Sequence, residues 1–293
     1  MLKRLIGIII LGFFVTPFTG IGPAADTLAA EQKLYSVHII KGSTGTVYEL
    51  DPADGKTLGS KNISLSRSNV FGAFGLAADP TTGLLYTILV IDGLAFDAGS
   101  KRVLATLDPE TGQASKIGVI GQGLRPIRSL AIDGEGILYG ATSTNTSELV
   151  EIDKQNGTIK KVLISLHSSG GPLDTAIAFN PDENTIYNVT GGGIIEKIKL
   201  PSLDKTTQST TGTNYGNAKA LVYCGAFSGC PAGSFRLTAN TAPMDASGDL
   251  WHEMNSNGNV GPSIRKLDHS TKGLAFFPPV ASTKGVVGDF DGD

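Results

Sequence analysis

The chain has 293 residues, a formal net charge of −3, 7% aromatic residues, 38 glycines and two cysteines. Mild acidity without any Lys/Arg cluster excludes nucleic acid as a partner class. The glycine content suits a turn-rich β protein better than a helical one, and the length suffices for one large core.

The first element is an export signal. Lys3 and Arg4 precede the apolar run Leu5 to Val15, and a small-residue stretch from Pro17 to Ala30 offers cleavage after Ala24, Ala29 or Ala30. Residues 1–30 are therefore read as a signal peptide. An eleven-residue apolar run falls short of the roughly 20 residues that span a bilayer, so no membrane span is expected after its removal. Losing Lys3, Arg4 and Asp26 with the leader takes one unit off the formal charge, to −4.

Residues 31–280 carry a repeat. One phrase reads LAADPTTGLLY (Leu76 to Tyr86), LAIDGEGILY (Leu130 to Tyr139) and IAFNPDENTIY (Ile177 to Tyr187). Its companion reads LDPADG (from Leu50), LDPETG (from Leu107), IDKQNG (from Ile152) and LDHSTKG (from Leu267). The aromatic anchors Tyr35, Tyr86, Tyr139 and Tyr187 are 51, 53 and 48 residues apart, and Trp251 follows after 64. A period of this size, filled with short strands and turns, predicts an all-β propeller of four-stranded blades, five in number with six as the alternative.

Within the third repeat the strands are Ser129 to Asp133, Ile137 to Thr142, Glu148 to Asp153 and Ile159 to Ser165, separated by polar turns. Asp108, Pro109 and Gly112 state the turn chemistry: a carboxylate accepts backbone N–H bonds, proline presets φ, and glycine takes the left-handed position. That role explains the repeat's aspartates without catalysis. In IIEKIKL, Ile194, Ile198 and Leu200 fall on one side and Lys197 and Lys199 on the other, as in a strand with one wet face. The first blade lacks its own Leu-Ala strand. Either GLAFF (Gly273 to Phe277) or GVVGDF (Gly285 to Phe290) is expected to complete it and close the ring.

Cys224 and Cys230 lie in a local insertion, Cys224 to Gly233, and in an exported chain predict a disulfide. The four histidines are scattered without metal-ligand spacing. His38 reads as a core histidine, and His167 as the one nearest a ligand.

These repeats resemble those of the secreted YVTN and NHL propeller families, within the broad superfamily that also holds SMP-30/gluconolactonase and strictosidine-synthase enzymes. The resemblance covers roughly residues 34–277 and implies the propeller fold. Residues 281–293 form an acidic tail. Its end, VVGDFDGD, is similar to the opening of an FG-GAP/VCBS repeat, which implies calcium as a cofactor held by Asp289, Asp291 and Asp293. The plain alternative is a solvated acidic terminus.

By analogy with the fold, a ligand would sit at one mouth of the central channel, lined by the loops that enter the inner strands. Those loops carry Arg67, Asn69, Arg125, Arg128, His167, Asp174, Asn214 and Tyr215, and the arginines near Pro126 suit a carboxylate or sugar hydroxyls. The chain is thus read as a monomeric, secreted, periplasmic or cell-surface binding module for a protein or glycan, with no reaction motif and no catalytic residue assigned. The alternatives are a metal-dependent lactonase-like hydrolase or lyase, and a structural segment of a larger surface protein.

Overall fold

The computed structural model describes residues 32–39, 44–92, 101–120, 126–142, 147–167, 175–191, 193–212, 217–226, 228–240 and 248–279. Five antiparallel four-stranded sheets stand radially about one axis, a five-bladed β-propeller. From the axis outward, blade 1 is built from residues Gly273–Phe277, Lys33–Val37, Thr46–Leu50 and Thr57–Asn62. Blade 2 runs Val70–Ala78, Leu85–Ile91, Lys101–Leu107 and Gln113–Val119. Blade 3 runs Ile127–Ile132, Leu138–Thr142, Glu148–Ile152 and Ile159–Ser165. Blade 4 runs Thr175–Asn180, Thr185–Thr190, Ile194–Lys199 and Lys205–Ser209. Blade 5 runs Asn217–Tyr223, Ser234–Asn240, Leu250–Asn255 and Asn259–Val260. GLAFF is the strand that closes the ring, pairing antiparallel with Lys33–Val37.

The Leu-Ala phrase explains how blades stack. Successive strand residues point to opposite faces, so Leu and Ala of one inner strand enter different interfaces. Leu76 packs between blades 1 and 2, and Ala77 between blades 2 and 3. Leu130 and Ala131 repeat this one blade on, as do Ile177 and Ala178, and Leu274 with Ala275 completes the circle. Each alanine lies opposite a second-strand tyrosine: Ala275 with Tyr35, Ala77 with Tyr86, Ala131 with Tyr139 and Ala178 with Tyr187. The small side chain leaves room for the buried ring beside it. The four tyrosines therefore share one environment.

Two sequence expectations need correction. Trp251 is not the fifth anchor, because it sits in the third strand of blade 5. The tyrosine position there belongs to Arg236, which pairs with Val222 and follows Tyr187 by 49 residues. An aromatic search passes over it. Likewise LDHSTKG is no hairpin turn: Leu267 donates to Asp249 O, and Gly273 already begins the closing strand. The turn of blade 5 is instead Asn255 to Gly258, where Asn255 Oδ1 accepts the Asn257 N–H at 3.0 Å. Asp51, Asp108 and Asp153 do the same for the N–H two residues on, at 2.8, 3.0 and 2.7 Å. Gly112 closes its turn with φ 76°, as expected. The alternation of IIEKIKL holds, but its faces are not wet and dry, since Ile195 on the lysine side is fully buried and the other side buries Glu196 beside Ile198.

Candidate functional site

An axial cavity of about 660 Å³ opens where the inner strands end. Its wall is three successive layers of five residues, one from each blade. The deepest is Leu76, Leu130, Ile177, Leu221 and Leu274. Next come Ala77, Ala131, Ala178, Val222 and Ala275, and then Ala78, Ile132, Phe179, Tyr223 and Phe276. The first three letters of the repeat phrase are thus the three courses of the wall, and its aspartate caps the turn at the rim.

The rim is polar; of its acids, Asp133 and Asp182 are engaged and Glu135 is exposed. Asp133 Oδ1 accepts the N–H groups of Glu135 and Ile137 at 3.0 and 2.8 Å, while Oδ2 accepts the Tyr139 hydroxyl at 2.9 Å. Burial pushes the Asp133 carboxyl above the usual carboxylate range. Asp182 accepts the hydroxyl of Tyr223, and Glu183 that of Tyr187 at 2.7 Å. Cys224 and Cys230 form the expected disulfide, with Cα atoms 5.9 Å apart. Its loop places Gly225, Ala226 and Ala232 on the cavity's edge. Gln32 and Pro279 lie at the same mouth, so both ends of the described chain leave beside the cavity.

The described candidates singled out from the sequence, Arg67, Asn69, Arg128 and His167, lie away from this cavity, at the other ends of the strands. Arg67, in a left-handed conformation with φ 62°, and Asn69 precede the inner strand of blade 2. Arg128 is the second residue of the inner strand of blade 3 and stands over the Phe74 ring at 5.8 Å. His167 follows the outer strand of blade 3 with an exposed side chain, and its backbone N–H donates to Glu196 Oε2 at 2.8 Å. Glu196 also takes Asn188 Nδ2 at 2.9 Å and Lys205 Nζ at 2.7 Å, which is how a buried carboxylate is tolerated there. None of these four candidates lines the cavity. Arg125, Asp174, Asn214, Tyr215, Asp289, Asp291 and Asp293 lie outside the described residues.

Sequence reasoning missed a relay between blades 5 and 1. Ser36 Oγ stands 2.9 Å from His269 Nε2, and His269 Nδ1 stands 2.7 Å from Asp268 Oδ1. Tyr48 stacks on the His269 ring at 3.9 Å with 8° between planes. The distances match a Ser-His-Asp triad. Ser36, however, is 0% exposed and His269 only 2%. A nucleophile must reach a substrate carbon, and this oxygen has no surface to offer. The relay ties two blades together. His38 beside it is buried, as the sequence predicted.

Among the described residues, no three His, Cys, Asp or Glu side chains gather as a metal site requires. No described helix is long and apolar enough to cross a membrane.

No family model and no curated protein sequence matches the chain. Solved structures do resemble it in fold. A GH43 β-1,3-galactosidase superposes with a TM-score of 0.57 at 12% identity, over 82% of this chain and 58% of that one. An exo-β-1,3-galactanase from Phanerochaete chrysosporium gives 0.55 at 9% identity, over 80% and 60%. A calcium-binding regucalcin from Agrobacterium tumefaciens gives 0.41 at 14% identity, over 68% and 76%. The chain spans about 60% of the length of the galactosidase and of the galactanase. At these identities the likeness is one of fold.

Proposed function

We propose that this protein is an exported, non-catalytic binding module whose axial cavity receives an uncharged part of a protein or glycan ligand. The carrying observation is the cavity itself. Its volume of about 660 Å³ falls within the range of small-molecule sites, its wall is apolar, and its rim acids Asp133 and Asp182 are held by tyrosine hydroxyls and, for Asp133, backbone N–H groups. Carboxylates fixed in this way shape and solubilise a mouth. That leaves Glu135 as the one unbonded acid among the described lining residues, where hydrolysis of a glycosidic bond asks for two acids facing each other across a substrate.

The disulfide supports folding in an oxidising compartment, and the leader supports export to the periplasm, the cell surface or beyond. The protein acts as a monomer on this reading, and the acidic tail takes calcium through Asp289, Asp291 and Asp293.

The test is a thermal-shift screen of neutral oligosaccharides and peptides against the wild type and Ala78→Trp, whose indole would fill the outer course of the wall. The expected result is a ligand that raises the melting temperature of the wild type alone and is recovered unchanged. A ligand cleaved or rearranged by the wild type overturns the reading in favour of a hydrolase or lyase. Equal stabilisation of both proteins removes the cavity from it.

A further inference from the structure

Every charged side chain that lines the axial cavity is an acid. Asp133, Glu135 and Asp182 stand on its rim, and no Lys, Arg or His is found among the described lining residues. The sequence next to the mouth adds no positive balance. Glu31 precedes Gln32, and residues 280–293 carry three aspartates against one lysine.

Two of the rim acids are satisfied without being neutralised. Asp133 accepts backbone N–H groups and the Tyr139 hydroxyl, and Asp182 accepts the Tyr223 hydroxyl, all of them uncharged donors. Asp79, the matching acid of blade 2, shows the contrast: it meets Lys154 Nζ at 2.6 Å and lies off the cavity. Glu135 has neither kind of partner. It sits between Gly134 and Gly136 in the turn that Asp133 holds, and its side chain is exposed. A concave mouth with apolar walls concentrates the field of such carboxylates, repelling anions and drawing in cations.

The wall behind the rim points the same way. Three of the five positions in its outermost course are aromatic, Phe179, Tyr223 and Phe276, and an aromatic ring is the one apolar group that also attracts a cation. The two deeper courses carry only aliphatic side chains. A sugar placed against them would give up water around its hydroxyls for side chains that neither donate nor accept. An aliphatic or aromatic side chain of a peptide suffers no such loss.

We infer that the partner of the cavity is a basic peptide segment, which inserts an apolar side chain and rests a flanking ammonium or guanidinium group against Glu135. This depends on the cavity reading and narrows its ligand from protein or glycan to protein.

Equilibrium dialysis of the full mature chain at low ionic strength tests it with three pools of capped pentapeptides, Gly-X-Z-X-Gly. Z is Leu, Ile, Val, Phe or Met in every pool, and X is Lys, Gln or Glu. The Lys pool should be retained about ten-fold better than the Glu pool, with the Gln pool between them and the gap closing as NaCl is added. Glu135→Gln should weaken retention of the Lys pool about three-fold at an unchanged urea midpoint, as for a rim charge in solvent. Glu135→Lys should shift the preference toward the Glu pool, and Ala78→Trp should release the Lys pool. Equal retention of the three pools overturns the inference and leaves the cavity reading standing. A Lys preference that survives either Glu135→Gln or Ala78→Trp also overturns it, as attraction to the acidic surface at large. Should no pool bind while a neutral oligosaccharide stabilises the wild type but not Ala78→Trp, the ligand is a glycan and only the inference falls. Failure of both the pools and the neutral screen overturns the two together.

Discussion

Nε of Arg236 in blade 5 donates to the carbonyl oxygen of Pro52 in blade 1, 184 residues earlier, at 2.8 Å. Its Nη1 pairs with Glu253 at 2.7 Å. This residue fills the position held by tyrosine elsewhere, and it reaches the same target, the outer turn of the next blade. Tyr35 likewise donates to Glu110 of blade 2 at 2.6 Å, and Tyr187 to the Ser256 carbonyl of blade 5 at 3.4 Å. Tyr86 of blade 2 lies 6.0 Å from Lys154 of blade 3.

Arg236→Leu should lower stability by about 2 kcal/mol, below the usual cost of breaking a buried pair because Glu253 is partly in solvent. Arg236→Tyr should recover part of that loss by restoring the anchor of the other blades. Urea unfolding at neutral pH reads both, and equal losses in the two variants would contradict the equivalence.

Acid should loosen the interface between blades 5 and 1. Burial draws the pKa of His38 down to about 4, and that of His269 down as well. The folded state thus prefers neutral rings. Their contribution is complete above pH 6.5 and lost as pH falls from 6.5 toward 4, with an upper bound of roughly 3 kcal/mol for His38. The buried carboxyl of Asp249 is shifted up by burial and acts in the opposite sense. The informative quantity is therefore a difference: urea midpoints of His38→Gln should fall less between pH 7.5 and 4.5 than those of the wild type.

Two left-handed glycines separate conformational strain from crowding. At Gly83, with φ 69°, an added Cβ meets nothing within 4 Å, so Gly83→Ala should cost only about 1 kcal/mol. At Gly112 the same atom would stand 2.4 Å from the Asn62 carbonyl oxygen, and Gly112→Ala should cost clearly more. Equal midpoints for the two variants would remove the steric part of this account.

Reducing the disulfide should release the loop at the cavity's edge. A cross-link between residues six apart contributes about 2 kcal/mol by the loop-entropy estimate. Cys224→Ser with Cys230→Ser should therefore lower the urea midpoint accordingly. It should also weaken any ligand of the cavity, whose rim includes Gly225 and Ala226.

The fold was legible because each repeat states its own strands and turns. Leu-Ala-x-Asp spells wall, wall, wall and cap, and Tyr139 marks the next strand. Legibility failed where a position kept its geometry and changed its chemistry. Arg236 does the work of a tyrosine, and Asn255 that of an aspartate. Leu267 to Gly273 copies the letters of a turn while serving as a connection. The cavity was hidden for a different reason: the sequence shows which residues are apolar, but only the ring shows that five strand ends leave space between them.

Gln32 Nε2 donates to the Pro278 carbonyl at 3.0 Å, so the first and last described strands end side by side. A short linker could join them, and the ring could be reopened at the exposed turn around Gly83 without unpairing a strand. Such a circular permutant would keep all five sheets and move the seam from blade 1 to blade 2. A partner joined directly at Gln32 or Pro279 would hang over the cavity, whereas one fused at the new ends would leave from a single blade.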